Sequence, residues 1–269
     1  MITLYVLGSG SRGNCFAVEA DGKALLIDAG FSAREIERRA GSAGLDLAMV
    51  AGIALTHEHG DHACGALRLA RRLRVPVLTA PGTWARLGIC NDDAEHRTLG
   101  LCAKVELGPF HIEACATSHD AAEPLAIVVR GSDGTSIGVA YDFGRPTTAL
   151  RYLLRGVHGI VLEANHDEFQ LRTSDYPPVV QRRIAGSTGH LSNRAAAELL
   201  AELHHPGLRA VVLAHLSEHC NTAADARATV APALRKAGFR GALHVADQDR
   251  PLAPILVMQR GGVQLALAL

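Results

Sequence analysis

The sequence shows no charge imbalance, no membrane-length apolar run and no closely spaced cysteine pair. Lys and Arg together number 27, as do Asp and Glu, so a nucleic-acid partner would need a local basic patch. No apolar run approaches the roughly 18 residues of a membrane helix, and the first residues lack the basic start of a secretion signal. We therefore expect a protein of the cytoplasm without a membrane partner, and the oligomeric state stays open.

The cysteine pattern excludes a disulfide framework. The six cysteines contain no C-x-x-C pair, so we expect buried free thiols at Cys15, Cys64, Cys90, Cys102, Cys115 and Cys220. Histidine, by contrast, is plentiful at 14 residues, and imidazole is the commonest side chain for binding transition metals. With 269 residues, 48% of them hydrophobic, the chain is long enough for one large domain, which we expect to span 1–269.

The order of hydrophobic patterns predicts a mixed α and β fold. The chain opens with three strands, the last two joined by a tight turn at Asp21-Gly22. Capping boxes at Ser32 and Thr222 predict helix starts, and helices are also expected over 64–73 and 192–203. The block from 105 to 141 is typical of antiparallel strands. Strand-rich blocks with interleaved helices predict two sheets packed face to face and covered outside by helices.

Four residues with metal-binding side chains follow the predicted strand 53–55 within six positions: His57, His59, Asp61 and His62. In an extended segment, side chains two apart point the same way, so His57 and His59 can hold one ion. Asp61 and His62 then lie free to serve a second ion. The H-E-x-x-H pattern of helical zinc proteases does not fit, because the later histidines stand at 59 and 62.

A second motif near the N-terminus imitates a dinucleotide-binding loop. Residues 8–13 read G-S-G-S-R-G after a strand, with Asp28 at the position of the ribose-binding acid. That fingerprint requires a helix at the third glycine, whereas residues 15–27 have two strand-like runs. We interpret the segment as a tight loop.

The run Thr56-His57-Glu58-His59-Gly60-Asp61-His62 resembles the H-x-H-x-D-H signature of the metallo-β-lactamase superfamily. The resemblance implies an α/β (α+β) fold, a four-layer αββα sandwich with two facing mixed sheets. It further implies ligands at His119, Asp142 and His215, each after a predicted strand, and support of the metal loop by Asp28.

The site implied by this resemblance holds two divalent cations. One is bound by His57, His59 and His119, the other by Asp61, His62 and His215, with Asp142 and a water shared between them. Cations lower the pKa of such a water from about 15.7 toward about 7, so a bridging hydroxide is the expected nucleophile. Oxygen and nitrogen ligands suit Zn²⁺ or Mn²⁺ equally.

Stretches outside the ligands resemble the bacterial YycJ (WalJ) family, regarded as 5′-to-3′ DNA exonucleases. They are residues 8–14, 118–121, 163–167, 189–193 and 214–217. The resemblance implies cleavage of DNA from its 5′ end. Candidate catalytic residues are Asp61, His166 and His190, and candidate substrate-binding residues are Ser9, Ser11, Asn14, Arg182, Arg183, Ser192 and Asn193. A helix N-terminus at 192 is a ready anion site, although Ser192 could simply cap its helix and the arginines could be solvated.

Two other functions stay open. The same fold and metals could hydrolyse a small thioester, lactone or cyclic phosphate ester, which a neutral net charge favours. Alternatively, the chain could be a non-catalytic metal-binding regulatory module, against which the complete ligand set argues. Too few residues separate Asp142 from His215 for an inserted cap domain, so we expect a bare core with an open groove.

Overall fold

Two seven-stranded sheets and the helices on their outer faces form the fold, in a computed structural model that describes residues 1–88, 94–100 and 104–259. The first half of the chain contains β1 (Ile2–Gly8), β2 (Cys15–Ala20), β3 (Lys23–Ile27), α1 (Ala33–Ala43), a 3-10 turn (Leu47–Met49), β4 (Val50–Ala54), α2 (Gly60–Ala63), α3 (Ala66–Leu73), β5 (Val77–Thr79), α4 (Pro81–Arg86) and β6 (His96–Thr98). The second half contains β7 (Val105–Leu107), β8 (Phe110–Ala116), β9 (Leu125–Arg130), β10 (Ser136–Ala140), α5 (Thr148–Leu154), β11 (Gly159–Glu163), α6 (Glu168–Thr173), α7 (Pro178–Ile184), α8 (Asn193–Leu203), β12 (Ala210–Ala214), α9 (Ala223–Ala237), β13 (Ala242–Val245) and β14 (Ile255–Val257).

Both sheets mix antiparallel and parallel pairing, as expected. The first sheet has the order β14-β1-β2-β3-β4-β5-β6, and its strands are parallel from β3 to β6. The second has the order β13-β12-β11-β10-β9-β8-β7, antiparallel from β7 to β10 and parallel from β10 to β13. In sheets of this kind, functional side chains gather beyond the carboxyl ends of the parallel strands.

Three layers of buried apolar side chains hold the four structural layers together. The central layer lies between the sheets, with Val6 and Ile27 of the first meeting Ile127 and Val161 of the second. One outer layer packs α1 and α3 against the first sheet, and the other packs α5, α8 and α9 against the second. The predicted αββα sandwich is therefore confirmed. None of the helices in the described ranges has the length and hydropathy that crossing a bilayer requires.

Several local predictions are confirmed in detail. Asp21 and Gly22 have φ of 49° and 70°, the left-handed conformation that a tight hairpin turn requires. Ser32 and Thr222 cap α1 and α9 by accepting hydrogen bonds from the backbone of Glu35 and Asp225. The G-S-G-S-R-G segment leads into β2 rather than a helix, so it is not a dinucleotide-binding loop.

The helix predicted over 64–73 is observed as α3 (Ala66–Leu73), which begins two residues later than predicted because Gly65 separates it from the short helix α2. The amide of Gly65 donates to the carbonyl of Ala29, and an added Cβ would lie 2.1 Å from the carbonyl oxygen of Phe31. Close packing against the loop after β3 therefore interrupts the helix.

The predicted burial of all cysteines is wrong in part. Free thiols occur at Cys15, Cys64, Cys115 and Cys220, but Cys64 is exposed and Cys115 is only half-buried. Cys90 and Cys102 lie outside the described residues.

Candidate metal centre and active-site cleft

The predicted metal-binding side chains lie at one edge of the sandwich, each just after a strand. The loop after β4 carries His57, His59, Asp61 and His62, whereas His119 follows β8, Asp142 follows β10 and His215 follows β12. Because these strands run in the same direction within each sheet, their carboxyl ends meet at one rim. Segments from both sheets therefore come together there.

These side chains form overlapping groups of potential ligand atoms. One group is His57, His59 and His119; another is Asp61, His62 and His215. Within each group the ligand atoms lie within 4.8 Å of one another. Two further groups connect them: Asp142 with His57 and His62, and Asp142 with Glu163, His190 and His215.

Asp142 lies between the two histidine groups. Its Oδ2 is 2.8 Å from Nε2 of His62 and 3.4 Å from Nε2 of His57. Its Oδ1 is 3.1 Å from Nδ1 of both His190 and His215 but is aligned for a hydrogen bond with neither. A buried carboxylate oxygen left unbonded among ring nitrogens is costly by itself, and a cation would satisfy it.

Partners outside the cluster fix which ring nitrogen each histidine turns inward. Nδ1 of His62 donates to Asp28, and Nδ1 of His119 donates to the carbonyl of Thr188 at 3.1 Å. Nδ1 of His215 lies 3.3 Å from Glu163. In each ring the other nitrogen, Nε2, remains for a metal, which is the usual arrangement around ligating imidazoles.

Asp28 fastens the metal-binding loop to both sheets. Its carboxylate accepts hydrogen bonds from the amide and hydroxyl of Thr56, from His62 and from the hydroxyl of Tyr141, all at 2.6–2.7 Å. The side chain is fully buried. The support role that the resemblance implies for Asp28 therefore has a clear physical basis here, although the role itself stays a prediction.

The backbone around the centre is strained in a consistent way. Asp28, Asp142 and His215 have φ of 57°, 54° and 52°, the left-handed region that residues with a Cβ rarely adopt. Asp28 and His215 directly follow their strands, and Asp142 lies one residue further along. At these positions the chain must turn sharply to direct the side chain inward. Such strain of roughly 1–3 kcal/mol per residue persists only where surrounding structure holds it, and it clusters at functional sites.

Burial and neighbouring charges shift the titration of the cluster. Burial opposes protonation of His62, but the Asp142 and Asp28 carboxylates outweigh it and raise its pKa well above the ordinary value. Burial, together with the charge of His62, lowers the pKa of His57 well below its ordinary value. Burial opposes ionisation of Asp142, but His215 and His62 lower its pKa strongly. The site thus concentrates carboxylate charge that cations can balance.

The donor set fits divalent cations on these observations. Imidazole nitrogens and carboxylate oxygens converge without thiolate, a buried carboxylate oxygen of Asp142 lacks a hydrogen bond, and Asp28 and the carbonyl of Thr188 orient the rings of His62 and His119. Rings within one ligand group also lie close together, with 4.6 Å between the centroids of His57 and His59. Such packing of titratable rings is favourable when they share a cation.

Sequence reasoning did not single out Glu163 and Tyr141. Glu163 is fully buried and accepts from the amides of Phe143 and Leu191, while its other oxygen lies 2.7 Å from Nδ1 of His190. Tyr141 crosses from the second sheet to reach Asp28. The strand ending in Glu163 carried a signal, because a charged residue closing a run of buried apolar residues needs a partner.

An open cleft of about 220 Å³ lies over the cluster. Among the predicted residues it is lined by Ser11, His59, Asp61, His119, Asp142, Arg183, His190 and His215. The Arg183 guanidinium at its rim donates two hydrogen bonds to one carboxylate oxygen of Asp120. Asn165, Tyr176 and Ser217 also line the cleft.

Ser9, Asn14 and Asn193, which the sequence offered as substrate-binding candidates, are all buried, and a role in binding stays a prediction. The Ser9 hydroxyl donates to Asn14 and accepts from the amide of His215, so the pair ties the N-terminal loop to the last ligand. Asn193 exchanges hydrogen bonds with Asn221 beneath α8. The side chains of these three residues therefore form hydrogen bonds with other buried residues of the protein.

The remaining candidates lie around the cleft rather than in it. Ser192 caps α8 and donates a hydrogen bond to Glu168, so it has the capping role that the sequence analysis left open. Arg182 is exposed and is absent from the lining of the cleft. His166 is buried and lines a neighbouring cavity, which it shares with His190.

Comparison with known proteins agrees with this geometry. Residues 8–88 match the family model described as "Metallo-beta-lactamase superfamily". The chain is 34% identical over 237 residues to a Bacillus anthracis protein named exodeoxyribonuclease YycJ, covering 87% of this chain and 89% of that one. It is 29% identical over 237 residues to exodeoxyribonuclease WalJ of Streptococcus pneumoniae, covering 86% and 88%.

Solved structures share the fold at low sequence identity. The metallo-beta-lactamase fold protein YhfI from Bacillus subtilis aligns with a TM-score of 0.70 at 16% identity, over 93% of this chain and 98% of that chain. Zn²⁺-bound PqqB from Methylobacterium extorquens aligns at 0.67 and 16%, over 93% and 99%. The chain therefore belongs to the metallo-beta-lactamase superfamily and, within it, to the YycJ and WalJ family of metal-dependent hydrolases.

Proposed function

We propose that this protein is a binuclear metal-dependent phosphodiesterase that removes nucleotides from the 5′ end of DNA, and that residues 1–269 act as one domain. The observation that carries the proposal is the position of Asp142 between two groups of three ligands, His57 with His59 and His119, and Asp61 with His62 and His215. The curated relatives named exodeoxyribonucleases support DNA as the substrate.

Two divalent cations, Zn²⁺ or Mn²⁺, held by these groups would lower the pKa of a shared water and take up negative charge on the attacked phosphate. The chain's own residues set the geometry. Asp28, through Thr56 and His62, keeps the ligand loop in place, and Glu163 with Asn165 positions His215. A preorganised site of this kind avoids rearrangement during the reaction.

His190 is the residue we assign to protonating the leaving oxygen. Its Nδ1 is held by Glu163 at 2.7 Å, so the second ring nitrogen is free to face a substrate in the cleft. The ring lies at the wall of the cleft and is about a quarter exposed, at 23% of its side chain. His166 lines the neighbouring cavity and is absent from the lining of the metal cleft. We therefore place His166 in substrate binding rather than in proton transfer.

The shape of the cleft fits the end of a single DNA strand better than it fits a DNA duplex. It measures about 220 Å³, is open to solvent and carries no covering domain in the described ranges. Its lining includes Asp61, His59 and His119 of the metal centre, together with Arg183 and Tyr176. A single strand can bring its backbone to the floor while its bases remain outside.

The direct test follows DNA degradation with an end label. We expect the protein with Mn²⁺ to release a 5′ label from single-stranded DNA as a mononucleotide, while a 3′ label stays on strands that become progressively shorter. The variant His57→Ala should release none. Early loss of a 3′ label would contradict the proposed polarity, and inert DNA beside rapid thioester hydrolysis would contradict the proposed substrate.

A further inference from the structure

A cavity of about 340 Å³ lies beside the metal cleft, and His190 belongs to the walls of both. On the side away from the metal centre, the wall consists of α6 and the beginning of α8. Its polar side chains are His166, Glu168, Arg172, Ser192 and Arg194. Because both walls include His190, the two spaces adjoin at this side chain.

Two arginines, Arg172 and Arg194, and one glutamate, Glu168, line the cavity. Arg194 is paired with Glu168 at 2.9 Å and with Glu198 at 2.7 Å, so its charge is balanced. Arg172 is exposed and has no ion pair or hydrogen bond to any described residue. The N-terminus of α8, an 11-residue helix, adds its partial positive charge at Ser192. The unbalanced guanidinium and the helix end both favour an anion.

His166 provides an independent sign that a ligand belongs here. Its side chain lines the cavity and is only 2% exposed, yet its Nδ1 has no hydrogen-bond partner. The carbonyl of His166 accepts from the amide of Asn193, which fixes the residue against the start of α8. Buried polar atoms nearly always have partners, so an unpaired one in a cavity wall indicates a missing acceptor or donor.

We propose that this cavity is a phosphate subsite, and that it holds the 5′-terminal phosphate of a DNA strand whose first phosphodiester lies at the metal centre. The proposal rests on the proposed function and deepens it. Arg172 supplies the charge, and His166 and the start of α8 supply hydrogen bonds. Anchoring the terminal phosphate one group away from the metals sets the cut after one nucleotide.

The test measures binding without turnover. With a chelator present, the affinity of the protein is measured by fluorescence anisotropy for one oligonucleotide bearing either a 5′-phosphate or a 5′-hydroxyl. We expect the phosphorylated strand to bind roughly 10-fold tighter, the size of one charge-assisted contact. Arg172→Gln should remove this difference while leaving the affinity for the 5′-hydroxyl strand unchanged.

A matched control is Arg240→Gln. Arg240 is exposed and precedes β13, at the opposite rim from the metal centre, so this variant should keep the full preference. Equal affinity of the unaltered protein for both strands would overturn the subsite, as would a preference that survives in Arg172→Gln. Cleavage of both strands with one KM would also overturn it while leaving the nuclease intact. The nuclease itself fails only if Mn²⁺ produces no cleavage of either strand.

Discussion

Nδ1 of His62 donates a 2.6 Å hydrogen bond to the carboxylate of Asp28, and both side chains are fully buried. The bond joins the end of β3 to the loop after β4 and directs Nε2 of His62 toward Asp142 and Asp61. The same carboxylate holds Thr56, the residue before His57. One acid at the end of a strand therefore positions a ligand and the loop that carries the others.

Replacing this acid should weaken metal binding more than it changes the fold. Asp28→Asn keeps the shape but places an NH₂ donor opposite donors from Thr56, His62 or Tyr141. We expect metal affinity to fall about 10- to 100-fold, as for other changes behind ligating histidines. Competition with a chromophoric chelator measures it, and unchanged affinity would show that Asp28 does not orient the ligands.

Tyr141→Phe provides a graded comparison with that variant. It removes one hydrogen bond to Asp28, at 2.6 Å, while the donors from Thr56 and His62 remain. We expect a loss of about 1 kcal/mol in the free energy of unfolding, measured with urea. Metal affinity should fall less than in Asp28→Asn. A larger fall would mean that the tyrosine hydroxyl orients Asp28 more than the donors from Thr56 and His62 do.

Gly30→Ala tests the close packing of the ligand loop. A Cβ at Gly30 would lie 1.7 Å from the carbonyl oxygen of Asp61, so the backbone carrying Asp61 and His62 must move. We expect loss of metal binding and a fall in Tm. Gly60→Ala is the control within the same loop, since nothing lies within 4 Å of its added Cβ. If Gly30→Ala binds metal normally, the loop is not held by this contact.

Metal content and stability should change together. The ligand groups bring buried carboxylates and imidazoles close to one another, so cations bound there stabilise the folded state over the unfolded one. We expect close to two metals per chain by elemental analysis. Dialysis against a chelator should lower Tm, and Mn²⁺ or Zn²⁺ should restore it. Added metal should raise the Tm of His62→Ala less than it raises the Tm of the unaltered protein. An equal rise in both would show that His62 does not bind the metal.

The sequence was sufficient to predict the sandwich and the residues that gather at its rim. The reason is physical: His57 to His62 are contiguous, and Asp28, Asp142 and His215 follow strands with clear apolar patterns. Glu163 was missed as a site residue because its partner His190 is 27 residues away, and only the fold reveals the contact.

The sequence could not indicate which of the candidate substrate-binding residues are buried. Small polar residues such as Ser9 and Asn14 suit a loop surface and a buried hydrogen-bond network equally well, and burial depends on what the rest of the chain packs against them. The short helices α5, α6 and α7 were also not predicted. At six or seven residues each, they are too short to produce a clear helical period, and tertiary packing stabilises them.

Tyr176 should contribute to binding of single strands by stacking. Its ring lines both the metal cleft and a cavity of about 380 Å³ on the side of His219, and the two rings meet edge to face at 5.8 Å. A base leaving the cleft can pack on the exposed tyrosine face. Stacking of one base contributes about 1–3 kcal/mol, so Tyr176→Ala should raise KM for single-stranded DNA by roughly 5- to 150-fold with little change in kcat.

The conservative variant separates stacking from hydrogen bonding by the phenol. Tyr176→Phe should retain the low KM, because the ring face is unchanged. A substrate with abasic sites next to its 5′ end should bind equally to the unaltered protein and to Tyr176→Ala, since no base is present to stack. If Tyr176→Ala instead lowers kcat for both substrates and leaves KM alone, the ring acts on the metal centre rather than on a base.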